Sequence, residues 1–177
     1  MTTSQNRWPL LEYGDQRLHT WVIPARTGTF TLRLRNGSAG FLLAYLALWY
    51  AEKIEPVFGR VLDDWGHAVR AIRNAITPSN HYSATAMDLN AMAHPLGKVR
   101  TGIFRRRTAV DALHAKLRKM RGVIRWGGDY HGRKDEMHFE IVQNITVCER
   151  EARRLMKTPR GRRILAANPS QRAVILS

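Results

Sequence analysis

The sequence has a single cysteine, Cys148, in 177 residues. That excludes an internal disulfide framework and a multi-cysteine zinc knuckle, so a metal site here must be built from His, Asp or Glu. Long apolar runs are lacking too. The longest, Ala39 to Ala51, falls short of the roughly 20 residues that a helical membrane span needs. No charged n-region and cleavage site opens the chain, so no secretory signal is expected. Internal repeats and low-complexity tracts are absent. Acids are scarce: 14 Asp and Glu face 29 Lys and Arg, a net charge of +15.

What is present belongs to a folded protein. The 44% apolar and 8% aromatic content excludes disorder over the whole length. At about 150 residues per domain, the length fits one domain spanning 1–177. The excess charge lies in two stretches. Lys98 to Arg125 hold ten basic residues against Asp111, and Arg150 to Arg163 hold seven against Glu151. A basic surface attracts polyanions; nucleic acid, a membrane surface and an anionic bacterial wall polymer are candidates, beside a solvated helix face with no partner.

Helical and strand patterns are mixed without a regular alternation, which predicts an α+β fold, a small antiparallel sheet flanked by helices. Asn6 to Pro9 and Ile23-Pro24 read as breakers, and Thr29 to Leu34 as a strand. Asn36 to Ser38 can cap a helix. Phe41 to Ile54 is apolar around most of its circumference, as a core helix is, and Pro56 stops it. Thr85 to Leu89, Val123 to Arg125 and His138 to Val142 read as short strands. Arg105 to Arg121 is amphipathic, with Val110, Leu113, Leu117 and Met120 on one face. Thr146 and Glu149 fit a capping box, Thr158-Pro159 starts a last short helix, and the tail after Asn168-Pro169 reads as loose. A buried thiol on an apolar face is packing, so Cys148 receives no chemistry.

Two patterns carry chemistry. One is SNHYSATAMDLN, holding His81 and Asp88; the other is WGGDYHGRKDEMHFE, holding Asp135, Glu136, His138 and Glu140. Two imidazoles and a carboxylate suit a catalytic zinc, which takes three protein ligands and keeps one position open. His81, Asp88 and His138 supply that set. Zinc chemistry still needs a carboxylate to move the proton of water, and Asp135 and Glu136 both lie just upstream of His138. Residues three apart face opposite sides of a strand, so Asp135 is expected on the turn entering it. Glu140 shares His138's face and can hold its ring from behind.

The first pattern resembles the Ser-x-His-x-x-Gly-x-Ala-x-Asp signature of the VanY-like, hedgehog-type zinc peptidases. These include D-Ala-D-Ala carboxypeptidases and phage endolysins with L-alanyl-D-glutamate peptidase activity. The second resembles that family's Trp-Gly-Gly followed by Asp/Glu-x-x-His-Phe. DDWGHAVRAIRNAI also looks like the segment preceding the first motif in phage members. The resemblance covers roughly 60–145, a catalytic core between N-terminal strands and helix (1–59) and basic helices (146–167). It implies a hedgehog/DD-peptidase-like fold, Zn2+ on His81, Asp88 and His138, and Asp135 as the catalytic carboxylate. An upstream arginine, Arg70 first and Arg73 second, would hold the substrate carbonyl or oxyanion. Ser79 and Trp126 would stand toward the substrate. One departure is Ala84 where the family has glycine.

The expectation is therefore a zinc peptidase cutting a peptidoglycan stem peptide, as an endolysin-like L-Ala-D-Glu endopeptidase. A D-Ala-D-Ala carboxypeptidase is the alternative. A non-catalytic, basic module binding wall or nucleic acid is the alternative of another class. The expected partners are peptidoglycan and an anionic wall polymer, with no specific nucleic acid. The protein is expected to be a monomer, held in the host cytoplasm before lysis and then acting on the wall.

Overall fold

The computed structural model describes residues 2–72 and 76–177. Its centre is α1, Gly37–Lys53, in which every residue from 37 to 48 is buried. A helix apolar on all sides must be covered on all sides. Around it lie a hairpin, the middle of the second sheet, and three C-terminal helices: α3 (Ile145–Leu155), α4 (Pro159–Ala167) and α5 (Gln171–Leu176). Each fully buried Leu or Phe of α1 contributes about 1.5–3 kcal/mol over leaving it in water.

The hairpin joins β1, Leu18–Ala25, to β2, Gly28–Arg35, antiparallel through the two-residue turn Arg26-Thr27. Ile23-Pro24 does not break the chain: Pro24 sits within β1 opposite Thr29. A two-stranded sheet has only edge strands, where the missing N–H of proline is tolerated. A second antiparallel sheet runs in the order β3-β5-β4, with β3 Ala86–Asp88, β5 His138–Ile141 and β4 Ile124–Trp126. Its register sets Asp88 opposite His138, and both Ala86 and Arg125 opposite Glu140. The expected amphipathic helix begins as a 3-10 turn, Gly102–Arg105, and continues as α2, Arg107–Lys119. Leu113, Leu117 and Met120 are buried, and Val110 packs beside them. The fold is thus α+β, and no helix among the described residues is long and apolar enough to cross a membrane.

Two further local expectations are corrected. Asn144, not Thr146, caps α3, its side chain accepting from the Val147 N–H at 3.1 Å; Thr146 falls inside the first turn. The tail is not loose. α5 docks with Ile175 buried, and the Gln171 side-chain oxygen accepts from the Gly37 N–H at 2.8 Å. The last helix thereby fills the capping role that Asn36 leaves open, since its side chain makes no cap bond.

Candidate metal centre and catalytic cleft

The segment Trp65–His67 stitches the two sheets together. Trp65 and Asp88 exchange both backbone hydrogen bonds, at 3.0 and 2.8 Å, and His67 N–H donates to Arg33 at 2.7 Å. Gly66 makes that approach possible: a Cβ there would lie 2.3 Å from the Arg33 carbonyl oxygen. Its own carbonyl, an acceptor only, takes the Nδ1 proton of His81 at 2.5 Å. The tautomer of His81 is thereby set, and its Nε2 keeps a free lone pair.

His81 rides on a tight turn, residues 79–84, supported from several directions. Arg35 donates to the Ser83 carbonyl at 3.0 Å, Asn6 N–H to the Asn80 side chain at 2.9 Å, and Ser4 to Ser83 at 2.8 Å. The turn closes through Ala84, whose φ is +56°. The position that is glycine in the resembling family therefore does need left-handed backbone. Alanine adopts it here at a cost of about 1–2 kcal/mol.

Three ligand atoms converge. His81 Nε2 lies 3.1 Å from His138 Nδ1 and 3.3 Å from Asp88 Oδ1, and His138 Nδ1 lies 2.8 Å from Asp88 Oδ1. A tetrahedron with zinc bonds of about 2.0–2.1 Å has edges of roughly 3.3 Å. Glu140 takes the far side of His138, Nε2 to Oε2 at 3.4 Å, leaving Nδ1 to face the other two. Two imine nitrogens and a carboxylate oxygen, all buried, thus point at one another. Atoms so placed repel unless a proton or a metal cation sits among them. The surroundings favour one: burial opposes a charged His138 ring, yet Asp88 and Glu140 raise its pKa to about 10. Burial likewise opposes the Asp88 carboxylate, but His81 and His138 hold its pKa well below the usual range. The group is thus suited to hold a divalent metal.

Asp135 stands on the turn before β5. Its Oδ1 is buried without a hydrogen-bond partner among the described residues, and burial, aided by the Asp88 charge, lifts its pKa to about 6. Its backbone bonds Gly127 at 3.0 Å, and a Cβ on Gly127 would lie 2.4 Å from the Asp135 carbonyl oxygen. The Trp-Gly-Gly motif thus seats the carboxylate. Glu136, the neighbouring candidate, turns away and accepts from the Arg100 and Thr101 N–H groups at 2.8 and 2.9 Å.

Arg70 reaches the outer oxygen of Asp88 at 3.7 Å with its side chain half exposed. It lines a cleft of about 270 Å³ with Ser79, His81, Asp135 and His138. Arg73 lies outside the described residues. Trp126 stands apart. It is 3% exposed, donates to the Glu136 carbonyl at 2.7 Å and borders a separate hollow beside Phe104 and His114.

The cleft also holds Asn80, Tyr130 and Arg133, which the sequence reading did not single out. Glu140 gathers Asn80 at 2.5 Å, Tyr130 at 2.7 Å and Arg125 at 2.5 Å. Although burial pushes the Glu140 pKa up, His138, Tyr130 and Arg125 bring it down to about 2. The one sequence signal for these residues was proximity, Asn80 beside His81, and Tyr130 and Arg133 between the two halves of the second motif.

No curated protein and no solved structure is significantly similar to the chain. A family model does match. Its description is D-alanyl-D-alanine carboxypeptidase, and the match covers residues 73–141, less than half of the chain. That span contains His81, Asp88, Asp135 and His138 and stops short of Arg70. The resemblance to VanY-like peptidases read from the two motifs is borne out over this segment.

Proposed function

We propose that the protein is a zinc-dependent peptidoglycan peptidase that cuts within the stem peptide, as L-alanyl-D-glutamate endopeptidases of phage endolysins do. The observation that carries this reading is the meeting of His81, Asp88 and His138 beside a buried carboxylate with an unpartnered oxygen, Asp135. The match to a peptidase family supports it independently.

Zinc held by His81, Asp88 and His138 would act as a Lewis acid, polarising the scissile carbonyl and acidifying water. Asp135 takes a proton from the attacking water as the C–O bond forms, and returns it to the amine nitrogen as the C–N bond breaks. Its raised pKa brings it toward the working range of a group that must both accept and give a proton. Arg70, tethered by the outer oxygen of Asp88, offers a fixed positive charge to the developing oxyanion. Ser79 and Arg133 line the same cleft. Arg133 is exposed there and suited to a carboxylate of the stem peptide.

The endopeptidase reading is supported by the shape of the groove. A second hollow, of about 460 Å³, shares Arg70, Leu96 and Asp135 with the first. Arg70 and Asp135 thus border two adjoining hollows, whereas removal of a terminal D-Ala needs one side closed. The description of the matching family supports the carboxypeptidase reading.

Mass spectrometry of peptidoglycan fragments, incubated with zinc-loaded protein with and without a chelator, decides. Chelator-sensitive release of new amino-terminal D-Glu is expected. Loss of terminal D-Ala instead makes it a carboxypeptidase. No cleavage of any wall type sinks both readings and leaves a binding module.

A further inference from the structure

A cavity of about 630 Å³ lies between the β1–β2 turn, the C-terminal end of α1 and the start of α4. It shares no lining residue with the catalytic cleft. Three separate elements bring cations to it: Arg26 from the hairpin turn, Lys53 from α1, and Arg160 and Arg163 from α4. Glu52 is the one acid among the described lining residues. It pairs with Arg163 at 2.9 Å and Arg160 at 3.6 Å, so it offsets one positive charge of four.

Arg163 is further fixed by donating to the Pro24 carbonyl at 2.6 Å. Arg160 lies over the Tyr45 ring, 5.6 Å from its centroid, and its Nε is buried with no partner among the described residues. Lys116 stands over the same ring, 4.3 Å from the centroid. Like charges brought together by three elements repel unless an anion joins them, and guanidinium groups match the oxygens of phosphate.

We propose that this cavity binds the phosphodiester groups of a polyol-phosphate wall polymer, anchoring the protein while the catalytic cleft stays open. The chemistry distinguishes this partner from other polyanions. Bases of single-stranded nucleic acid need exposed aromatic faces to stack on, and Tyr45 is 4% exposed. A duplex needs cations spread along a face, and these converge on one hollow. A lipid surface calls for apolar side chains to insert, and none of the exposed large hydrophobic residues among the described ones lines the cavity.

The test is calorimetric titration of the intact protein with poly(glycerol phosphate) at low salt, a readout independent of hydrolysis. Failure of the peptidase reading would leave it untouched. Arg26→Gln/Lys53→Gln changes rim residues that are exposed, so the fold is retained; Arg160→Gln removes the unpartnered Nε. Each should weaken binding by about tenfold or more, the loss of one or two charge-assisted hydrogen bonds. The control Arg106→Gln/Arg118→Gln removes the same charge from exposed positions elsewhere and should weaken it by less than about twofold. Equal losses in pocket and control variants overturn the proposal, as does absence of binding by the wild type. So does tighter binding of phosphatidylglycerol vesicles or duplex DNA through the same residues.

Discussion

Glu55, His94, Thr101 and Glu136 form one largely buried polar cluster; His81, Asp88, His138 and Asp135 form another. Their residue types are nearly the same, a histidine or two among carboxylates. In the first, His94 bonds Glu55 at 2.5 Å and Thr101 at 2.9 Å, Tyr50 donates to Glu55 at 2.6 Å, and Glu136 receives two backbone N–H groups and the Thr101 hydroxyl. Each member thus has a partner within the protein. In the second, His81 Nε2, His138 Nδ1 and Asp88 Oδ1 crowd onto one point that only a proton or a metal cation can join, and an Asp135 oxygen has no partner among the described residues. A satisfied buried network stabilises; an unsatisfied one costs free energy unless something from outside completes it. The contrast marks the second cluster as the candidate site, which residue type alone does not.

Substitutions can break that contrast. Asp135→Asn should lower hydrolysis by roughly 10²–10⁴-fold while zinc content, measured by atomic absorption, stays at the wild-type level. His138→Ala should abolish zinc retention, and its thermal midpoint should no longer respond to a chelator that lowers the wild-type midpoint. Retained zinc in this variant would remove His138 from the ligand set. On the other side, Glu136→Ala should lose about 2–3 kcal/mol of stability in urea, because it strands two backbone donors, yet keep its zinc. A Glu136→Ala protein that is stable but inactive would instead make Glu136 the base.

Two smaller effects sharpen the comparison outside the clusters. Lys116 is buried, and burial followed by the charge of Arg160 pushes its pKa from the ordinary 10.5 down to about 7. Between these values the unfolded chain binds more protons than the folded one, so wild-type stability should climb as pH rises from about 7 toward 10.5. Lys116→Met should flatten that slope in denaturant titrations run across the range. Ala84→Gly, which relieves the left-handed alanine, should raise stability by about 1 kcal/mol; a loss would mean that the methyl group packs better than the backbone suffers.

The candidate metal ligands were legible as residue types within two ordered motifs that resemble a known family's, not from the 50-residue separation of Asp88 and His138. Asp88 and His138 sit opposite each other in adjacent strands, and parity alone put Glu140 on the same face as His138. Other parts of the site come from contacts that no short pattern encodes. Asn80, Tyr130 and Arg125 meet on Glu140 only because the sheet and the 127–135 loop fold over it. The buried place of Trp126 follows from β4 pairing inward with β5 at Phe139. In the fold, α1 was readable from its own composition. The docking of α5 was not, since Gln171 gains its role from Gly37, a residue far away in the chain.

That last contact has a consequence for how the molecule is made. Helix α1 is the hub on which the other elements pack, and the open N–H at its beginning is answered from residue 171. A ribosome releases the hub long before it releases its cap. Until residue 171 has emerged, the Gly37 N–H has no Gln171 oxygen to meet, so this cap is set well after α1 itself is available to fold.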